Sequence, residues 1–348
     1  MEPLNATEEA RVVVTLASSP EVREALDEAL GAVASITYLT DVQQDQREGA
    51  LASANAVLAW FLGRELEGPD EFERLKSVGL VQLLSAGADR VPFHRIPKSV
   101  LVASNAGAYA EPMAEHVLAL GLALAKRLPQ NHAAMARGEF DQQTPTKPIR
   151  GSVAGILGFG GIGQASARLF KAFGARVHAI DRSAKAGELA DWVGKLDELD
   201  AVLEAADILV VALPLTCTTR GLIGRRELSL MKPDAILVNV ARAAIIDEDA
   251  LYEHLRDNLS FSAGLDAWWQ EPLIEGSFTM RRPFFELPNL LGSPHNSALS
   301  RGSLKVAAGR AAENVARYLR GETPRHLVDR SEYPPAATHG SRATPGER

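Results

Sequence analysis

Residues 153–163 read Val-Ala-Gly-Ile-Leu-Gly-Phe-Gly-Gly-Ile-Gly, an apolar run that ends in three spaced glycines, Gly158, Gly160 and Gly163. A helical pattern follows directly from Gln164 to Phe173. A second apolar run over 176–180 then ends in Asp181, 18 residues after Gly163. The order predicts a strand, a glycine turn, a helix, a second strand and an acid, which is the arrangement of a dinucleotide-binding unit.

Each residue of this turn has a physical role in that interpretation. Gly158 permits the tight turn, Gly160 lets a pyrophosphate approach the backbone, and Gly163 lets the helix pack closely on the strand. The free N–H groups and the positive dipole end of the helix then meet the phosphates, and Gly161 and Ile162 are expected among the cofactor contacts. Asp181 is expected to accept hydrogen bonds from the adenosine ribose. The alternative, a purely structural glycine turn, is disfavoured because the context fits on both sides.

Length and composition exclude several classes of protein. The chain has 348 residues, 46% of them hydrophobic, and a formal net charge of −7. These values fit an enzyme with two sizeable cores and argue against nucleic acid or an anionic membrane as partner. No signal peptide is predicted, nor any apolar run of the roughly 18 residues that suggest a membrane span. Cys217 is the single cysteine, which fits a reducing cytoplasm. No metal site is predicted.

The first hundred residues alternate short apolar runs with helical patterns and predict an α/β domain with a parallel sheet. Residues 104–110 are expected to form a crossover between domains, and a long buried helix follows. His116, on that helix, is expected to be a hydrogen-bonded structural histidine.

The second half of the chain places polar residues where predicted strands end. In an open α/β sheet, ligands bind at the carboxyl ends of the strands, and core packing does not explain polar residues there. Such ends are occupied by the polar residues Asp181, Arg242, Asp266 and His295, and by Leu213 with Pro214. We expect a substrate domain from residues 1–104 and 296–330, a cofactor domain from 105–295, and a disordered tail over 331–348.

Three residues form a coherent acid–base site. Hydride transfer to a carbonyl needs a proton donor, for which histidine is suited near neutral pH, and a carboxylate beside it holds the imidazole. His295 with Glu271 could form this pair, and the forked charge of Arg242 suits a keto acid. The alternative for Arg242 is a surface arginine at a helix end.

The motifs together resemble the D-isomer-specific 2-hydroxyacid dehydrogenase family across roughly residues 80–320. The resemblance rests on the segment 158–181, Pro214-Leu215-Thr216 with Thr219, the run 239–242, Ile246-Asp247, Leu265-Asp266, Glu271-Pro272 and Ser293-Pro294-His295. It implies two Rossmann-like, doubly wound parallel-sheet α/β domains, with the cofactor domain inserted into a flavodoxin-like substrate domain. It also implies a homodimer.

The resemblance also implies residue roles. Arg242 would bind and polarise the keto acid, His295 would exchange the proton, and Glu271 would be its partner. The amides of Gly87 and Ala88 would hold the substrate carboxylate, although the loop alone is typical of an ordinary turn. Asn105 and Asp266 would lie near the nicotinamide. Further cofactor contacts are expected at Leu213, Pro214, Thr219, Val240, Ala241, Arg242 and His295.

Several positions depart from the family pattern. Ala243 replaces the usual glycine after the arginine, at a cost of about 1 kcal/mol if that position needs a positive φ. Tyr109 could reach the site or pack at the crossover. Trp268 and Trp269 are bulky, and either could wall the substrate pocket, although burial in the core is the safer expectation.

The expected activity is NADH-dependent reduction of a 2-oxo acid to a D-2-hydroxy acid. Asp181 should repel a 2′-phosphate and favour NAD over NADP, although Arg182 and Ser183 could soften this effect. Formate is disfavoured, because related formate dehydrogenases carry glutamine at the position of Glu271. Two alternatives remain open: a phosphite-type dehydrogenase, and an NADH-responsive binding protein similar to transcriptional co-repressors.

Overall fold

The computed structural model describes residues 10–66, 68–183 and 186–333. They form two lobes, each built on a parallel sheet. The strands of the first lobe are β1 (Ala10–Val14), β2 (Ala34–Tyr38), β3 (Ala56–Ala59), β4 (Leu80–Leu83) and β5 (Leu101–Ala103). The strands of the second lobe are β6 (Val153–Leu157), β7 (Arg176–Ile180), β8 (Trp192–Gly194), β9 (Ile208–Val211), β10 (Ile236–Asn239), β11 (Ser262–Leu265) and β12 (Leu290–Gly292).

The two strand orders differ and confirm the predicted α/β architecture. The first sheet has the order β2-β1-β3-β4-β5, which is the flavodoxin-like arrangement. The second sheet has the order β12-β11-β10-β9-β6-β7-β8, so the direction of winding reverses between β6 and β9. The glycine turn after β6 therefore lies at the switch point of its sheet, where open α/β sheets bind ligands.

Helices cover both faces of each sheet. They are α1 (Pro20–Leu30), α2 (Gln44–Ala52), α3 (Pro69–Arg74), α4 (Ala110–Ala125), α5 (Leu128–Ala136), α6 (Gly161–Ala172), α7 (Leu199–Ala205), α8 (Arg225–Leu230), α9 (Glu248–Asp257), α10 (Pro272–Glu275) and α11 (Ser303–Leu319). In the described part of the chain, no helix has both the length and the apolar character needed to cross a membrane.

Two helices show how the lobes are connected. α4 directly follows the first sheet in sequence, yet packs on α6, β10 and β11 of the second lobe. α11, which follows the second sheet, packs instead on α1, β3 and β4 of the first lobe. The chain therefore crosses between the lobes before α4 and again before α11. The prediction that a cofactor domain is inserted into a discontinuous substrate domain agrees with this connectivity.

Local sequence explains the start of each helix near the cleft. Gly160 is the N-cap of α6, with an extended backbone at φ −74°, and no side chain covers the free N–H groups of the first turn. Pro272 opens α10 directly after Glu271, because proline is pre-organised for the first turn of a helix. This proline fixes the backbone beside Glu271.

Candidate active site

A cleft of about 1190 Å³ separates the two lobes. Its walls come from the carboxyl ends of strands in both sheets, from the glycine turn after β6, and from the loop before α11. Most of the predicted site residues line it: Gly87, Ala88, Gly158, Gly160, Gly161, Ile162, Asp181, Leu213, Pro214, Thr219, Val240, Ala241, Arg242, Glu271 and His295. Folding thus brings together residues that are up to about two hundred positions apart.

The glycine turn has room for a ligand at one position and none at the others. Gly158 has φ +93°, and a Cβ there would lie 2.7 Å from the carbonyl oxygen of Ala212. A Cβ on Gly163 would overlap the carbonyl oxygen of Gly158, so this glycine serves helix packing and does not line the cleft. A Cβ on Gly160 would meet no atom within 4 Å. The open face above Gly160, at the start of α6, fits a dinucleotide pyrophosphate.

Asp181 is fixed at the end of β7 by the same turn. Its Oδ2 accepts a hydrogen bond from the Phe159 amide at 2.9 Å, and its Oδ1 accepts one from the Ser183 amide at 2.9 Å. The carboxylate therefore sits against the glycine turn on one side of the cleft, at the position expected for a ribose acceptor.

His295 and Glu271 form a close pair. Nδ1 of His295 lies 2.7 Å from Oε1 of Glu271, which leaves Nε2 as the ring nitrogen not used by this carboxylate. The same Oε1 accepts the Trp268 amide at 3.0 Å. Oε2 accepts Nη2 of Arg90 at 3.0 Å. Glu271 is therefore held by groups from both lobes.

The surroundings of Glu271 keep it ionised. Burial would raise its pKa, but the hydrogen bond and charge of His295, the Trp268 amide and the Arg90 guanidinium outweigh that effect and lower the pKa to about 2. The carboxylate is thus negative at neutral pH and favours a proton on Nδ1 of His295.

The loop that carries His295 is tied down from behind by Asp266, which is fully buried. Oδ1 of Asp266 accepts the Ser293 hydroxyl at 2.6 Å and the Asn296 amide at 3.1 Å, and Oδ2 accepts the Ser297 amide at 3.0 Å. These bonds outweigh burial and lower the pKa of Asp266. They also hold His295 at φ +51°, a left-handed conformation that few non-glycine residues adopt.

His116 is a hydrogen-bonded residue within the fold, as predicted. Its Nε2 lies 2.9 Å from the Ser293 hydroxyl, and 3.7 Å from Oδ1 of Asp266. It thus supports the loop from α4 and does not line the cleft.

Arg242 follows β10 of the second lobe, and its side chain reaches across the cleft to the first lobe. Its Nε contacts both carboxylate oxygens of Asp89 at 3.2 Å, and its Nη1 donates to the Ala241 carbonyl at 2.9 Å. A Cβ on Gly87 would overlap Nη2 of Arg242, so the guanidinium is in close contact with the backbone of the 85–89 loop. A substrate carboxylate bound to the amides of that loop would meet this positive charge.

Besides Gly163, two predicted ligands lie outside the cleft lining. Asp266 sits behind the histidine loop, with the hydrogen bonds described above. The Asn105 side chain is buried and donates to the carbonyl oxygens of Leu84 at 3.3 Å and Ala307 at 2.9 Å. Both side chains hold segments of the protein together, and their expected position near the nicotinamide stays a prediction.

Of the aromatic residues named in the sequence analysis, Tyr109 and Trp268 line the cleft and Trp269 does not. The Tyr109 hydroxyl donates to the Leu84 carbonyl at 3.1 Å, and burial raises the pKa of this phenol. Trp268 lines the cleft although only 7% exposed, and its Nε1 donates to the Ser293 carbonyl at 2.8 Å. Trp269 stacks on Phe284 with ring centroids 5.4 Å apart. Ala243 is not among the residues of positive φ, so it is unstrained.

The roles of Asp89, Arg90 and the segment 326–333 are not evident from the sequence. Asp89 and Arg90 directly follow the predicted Gly87-Ala88 loop, and only their partners across the cleft distinguish them from ordinary loop charges. The segment 326–333 crosses the cleft and ends at Tyr333, whose ring packs against that of Phe93 at a tilt of 31°, with centroids 5.4 Å apart. Burial and the nearby carboxylates of Glu332 and Asp89 raise the pKa of Tyr333 to about 12.

The described part of the tail also differs from the prediction of disorder from residue 331 onward. Residues 330–332 form a short 3₁₀ turn, in which Asp329 accepts the Ser331 amide at 2.9 Å. Residues 334–348 lie outside the described part of the chain.

The chain is similar in sequence to known proteins. The model of the D-isomer specific 2-hydroxyacid dehydrogenase NAD-binding domain matches residues 118–297. The chain is 34% identical over 260 residues to a glyoxylate reductase of Aeropyrum pernix, covering 72% of this chain and 76% of that protein. It is 32% identical over 269 residues to a D-3-phosphoglycerate dehydrogenase of Methanocaldococcus jannaschii, covering 76% of this chain but only 50% of that protein. This chain therefore matches about half the length of the latter.

A solved structure extends the agreement to almost the whole chain. The D-isomer specific 2-hydroxyacid dehydrogenase of Xanthobacter autotrophicus, in complex with NADPH and MES, superposes with a TM-score of 0.78 at 27% identity. The match covers 94% of this chain and 100% of that chain.

Proposed function

Because the chain belongs to the D-isomer-specific 2-hydroxyacid dehydrogenase family, we propose that it reduces a 2-oxo acid to a D-2-hydroxy acid with a nicotinamide cofactor. The observation that carries this proposal is the His295–Glu271 pair, which lines the same cleft as Arg242 and the glycine turn. Such a constellation supplies an acid, a positive charge and a dinucleotide cradle in one place.

The cofactor would be held by the second lobe. The first turn of α6 at Gly160–Ile162 would meet the pyrophosphate, and Asp181 the adenosine ribose. A bound nicotinamide dinucleotide supplies the hydride. We propose NAD rather than NADP, because Asp181 would repel a 2′-phosphate, although the similar Xanthobacter structure contains NADPH.

The substrate would be oriented by the first lobe and by Arg242. The amides of Gly87 and Ala88 and the Arg242 guanidinium would bind its carboxylate, while the guanidinium also polarises the carbonyl. His295 would donate its Nε2 proton to the carbonyl oxygen, and Glu271 would hold Nδ1 and balance the imidazolium charge. Asp266 would act by fixing the loop that carries His295.

A spectrophotometric assay tests the reaction. NADH oxidation would be followed with glyoxylate, hydroxypyruvate, pyruvate and phenylpyruvate, with NADPH in parallel and phosphite offered to the oxidised cofactor. We expect turnover of at least one oxo acid. His295→Ala should lower kcat by at least about 100-fold with little change in NADH affinity. NADH binding without turnover of any oxo acid would contradict the proposed reaction. Oxidation of phosphite would instead identify the protein as a phosphite-type dehydrogenase.

We also propose that the protein works as a homodimer in the cytoplasm. Family resemblance motivates the dimer, and the single cysteine motivates the reducing compartment. Light scattering coupled to gel filtration tests the first, since a monomeric mass would contradict it. Cell fractionation tests the second.

A further inference from the structure

The segment 326–333, here called the closing segment, is anchored on the first lobe. Leu327 forms an antiparallel bridge with Ala103 of β5, and the Val328 amide donates to the Val102 carbonyl at 2.8 Å. The Arg330 guanidinium donates to the Ile96 carbonyl at 3.0 Å. These backbone and side-chain bonds fix the direction in which the segment leaves the first lobe.

The end of the closing segment reaches the second lobe at Glu332. The Glu332 carboxylate forms an ion pair with Arg182, and its carbonyl oxygen accepts the Cys217 amide at 3.0 Å. Arg182 follows β7 and Cys217 follows β9. Glu332 is thus tied to two loops beside the switch point of the second sheet, on the side where Asp181 marks the adenosine ribose.

The charges at this place bear on the choice of cofactor. An arginine close to the ribose acid is the group that accommodates the 2′-phosphate of NADP. Arg182 directly follows Asp181 and forms an ion pair with Glu332. The Arg182 side chain is 81% exposed, whereas the Glu332 side chain is only 23% exposed. A 2′-phosphate would have to compete with Glu332 for this guanidinium.

We propose that Glu332 is a cofactor-selectivity residue: by occupying Arg182 from the closing segment, it disfavours NADPH relative to NADH. The inference rests on the proposed function, since it requires that the cleft bind a nicotinamide dinucleotide. It assigns to the C-terminal segment a role in a site otherwise built from the second lobe. The ion pair itself, being exposed on the arginine side, contributes little to folding stability.

The test is the ratio of the two dissociation constants, measured by calorimetry on the full chain without substrate. In Glu332→Gln the Kd for NADPH divided by that for NADH should fall about fivefold, because Arg182 loses its carboxylate partner and is released to bind the 2′-phosphate. Most of the change should be in the NADPH value. Glu322→Gln is the matched control, because Glu322 pairs with Arg317 of α11 and with Arg320 directly after it. Its ratio should stay within about twofold of the unsubstituted protein.

A double substitution tests the route through Arg182. In an Arg182→Ala background, Glu332→Gln should change the ratio by less than about twofold, because no guanidinium remains to be released. An unchanged ratio in the single variant, or an undiminished effect in the Arg182→Ala background, would overturn the inference. Failure of the unsubstituted protein to bind either nucleotide would instead contradict the proposed function, so the two failures are distinguishable.

Discussion

Nη2 of Arg90 lies 3.0 Å from Oε2 of Glu271, a contact between the two lobes that joins residues 181 positions apart. The other oxygen of that carboxylate binds His295. Arg90 is therefore a positioning residue, which acts on the proton donor through its partner and contributes to the low pKa of Glu271.

We expect Arg90→Gln to raise the pKa of Glu271 from about 2 toward its ordinary value. The fall of kcat/KM on the acid side should then move to higher pH, and kcat/KM at neutral pH should drop about tenfold. Arg90→Lys should partly restore both the position of the acid-side fall and the value of kcat/KM at neutral pH. Profiles of kcat/KM against pH would be compared with those of Arg95→Gln, since Arg95 donates to the Gly68 carbonyl in the same lobe. Identical profiles for Arg90→Gln and Arg95→Gln would show that Arg90 does not position Glu271.

Glu271 should also couple folding stability to pH. Its pKa is lowered from the ordinary 4.5 to about 2 in the folded protein. The carboxylate therefore stabilises the fold above pH 4.5, by up to about 3 kcal/mol, and this contribution is lost as the pH falls toward 2. Urea unfolding of the unsubstituted protein and of Glu271→Gln should show a difference at pH 7 that shrinks steadily below pH 4.5. A difference that stays constant with pH would contradict the coupling.

Substitutions at two adjacent glycines should have different effects, one on cofactor binding and the other on folding stability. A Cβ on Gly160 meets no protein atom within 4 Å, whereas a Cβ on Gly161 would lie 2.6 Å from the Cα of Gly107 in the crossover. Gly160→Ala should therefore keep its Tm but weaken NADH binding at least about tenfold, because the methyl group fills the pyrophosphate site. Gly161→Ala should cost about 1–3 kcal/mol of stability. Thermal unfolding and calorimetric titration measure both effects, and equal losses of Tm would be inconsistent with this assignment.

Gly87 should matter for the substrate and not for the cofactor. Its substitution by alanine would push against Nη2 of Arg242 and against Oδ1 of Asp89, which would lie 2.7 Å from the new Cβ. We expect Gly87→Ala to lower kcat/KM for the oxo acid about 100-fold, with the NADH Kd within about twofold. Gly63→Ala is the matched control in the same lobe, because the nearest atom to its Cβ is 3.8 Å away. Similar kinetics for the two variants would exclude a role for the Gly87–Arg242 contact.

The fold was largely predictable because its determinants are local. Helix α1 is bounded by Ser19 as N-cap and Pro20 in the first turn, which are local signals of a helix start. The glycine turn constrains its own backbone, although the helix begins at Gly161, ahead of the predicted Gln164. Strand β8 was missed, since three residues, Trp192–Gly194, are too short for an apolar pattern to be distinguished.

The contacts across the cleft could not be predicted in the same way. Arg90 and Asp89 are charges in an exposed-looking loop, and their partners Glu271 and Arg242 lie far along the chain. Asp266 has the spacing expected of a ligand, but its orientation is set by the amides of the loop that follows Ser293. Spacing along a sequence does not specify which face of a loop a carboxylate turns toward.

The return of α11 to the first lobe has a consequence for the order in which the protein is made. Residues Ala307, Ala308, Ala311, Ala312 and Val315 of α11 are fully buried. They cover α1 and the β3–β4 region of a sheet whose last strand ends at Ala103. During synthesis, about two hundred further residues are translated after Ala103 before the helix that covers this sheet emerges. The sheet of the second lobe, by contrast, is complete once residue 292 has emerged. The lobe translated first is therefore the one completed last, and a nascent chain that stops before Ser303 would leave its apolar face open to aggregation.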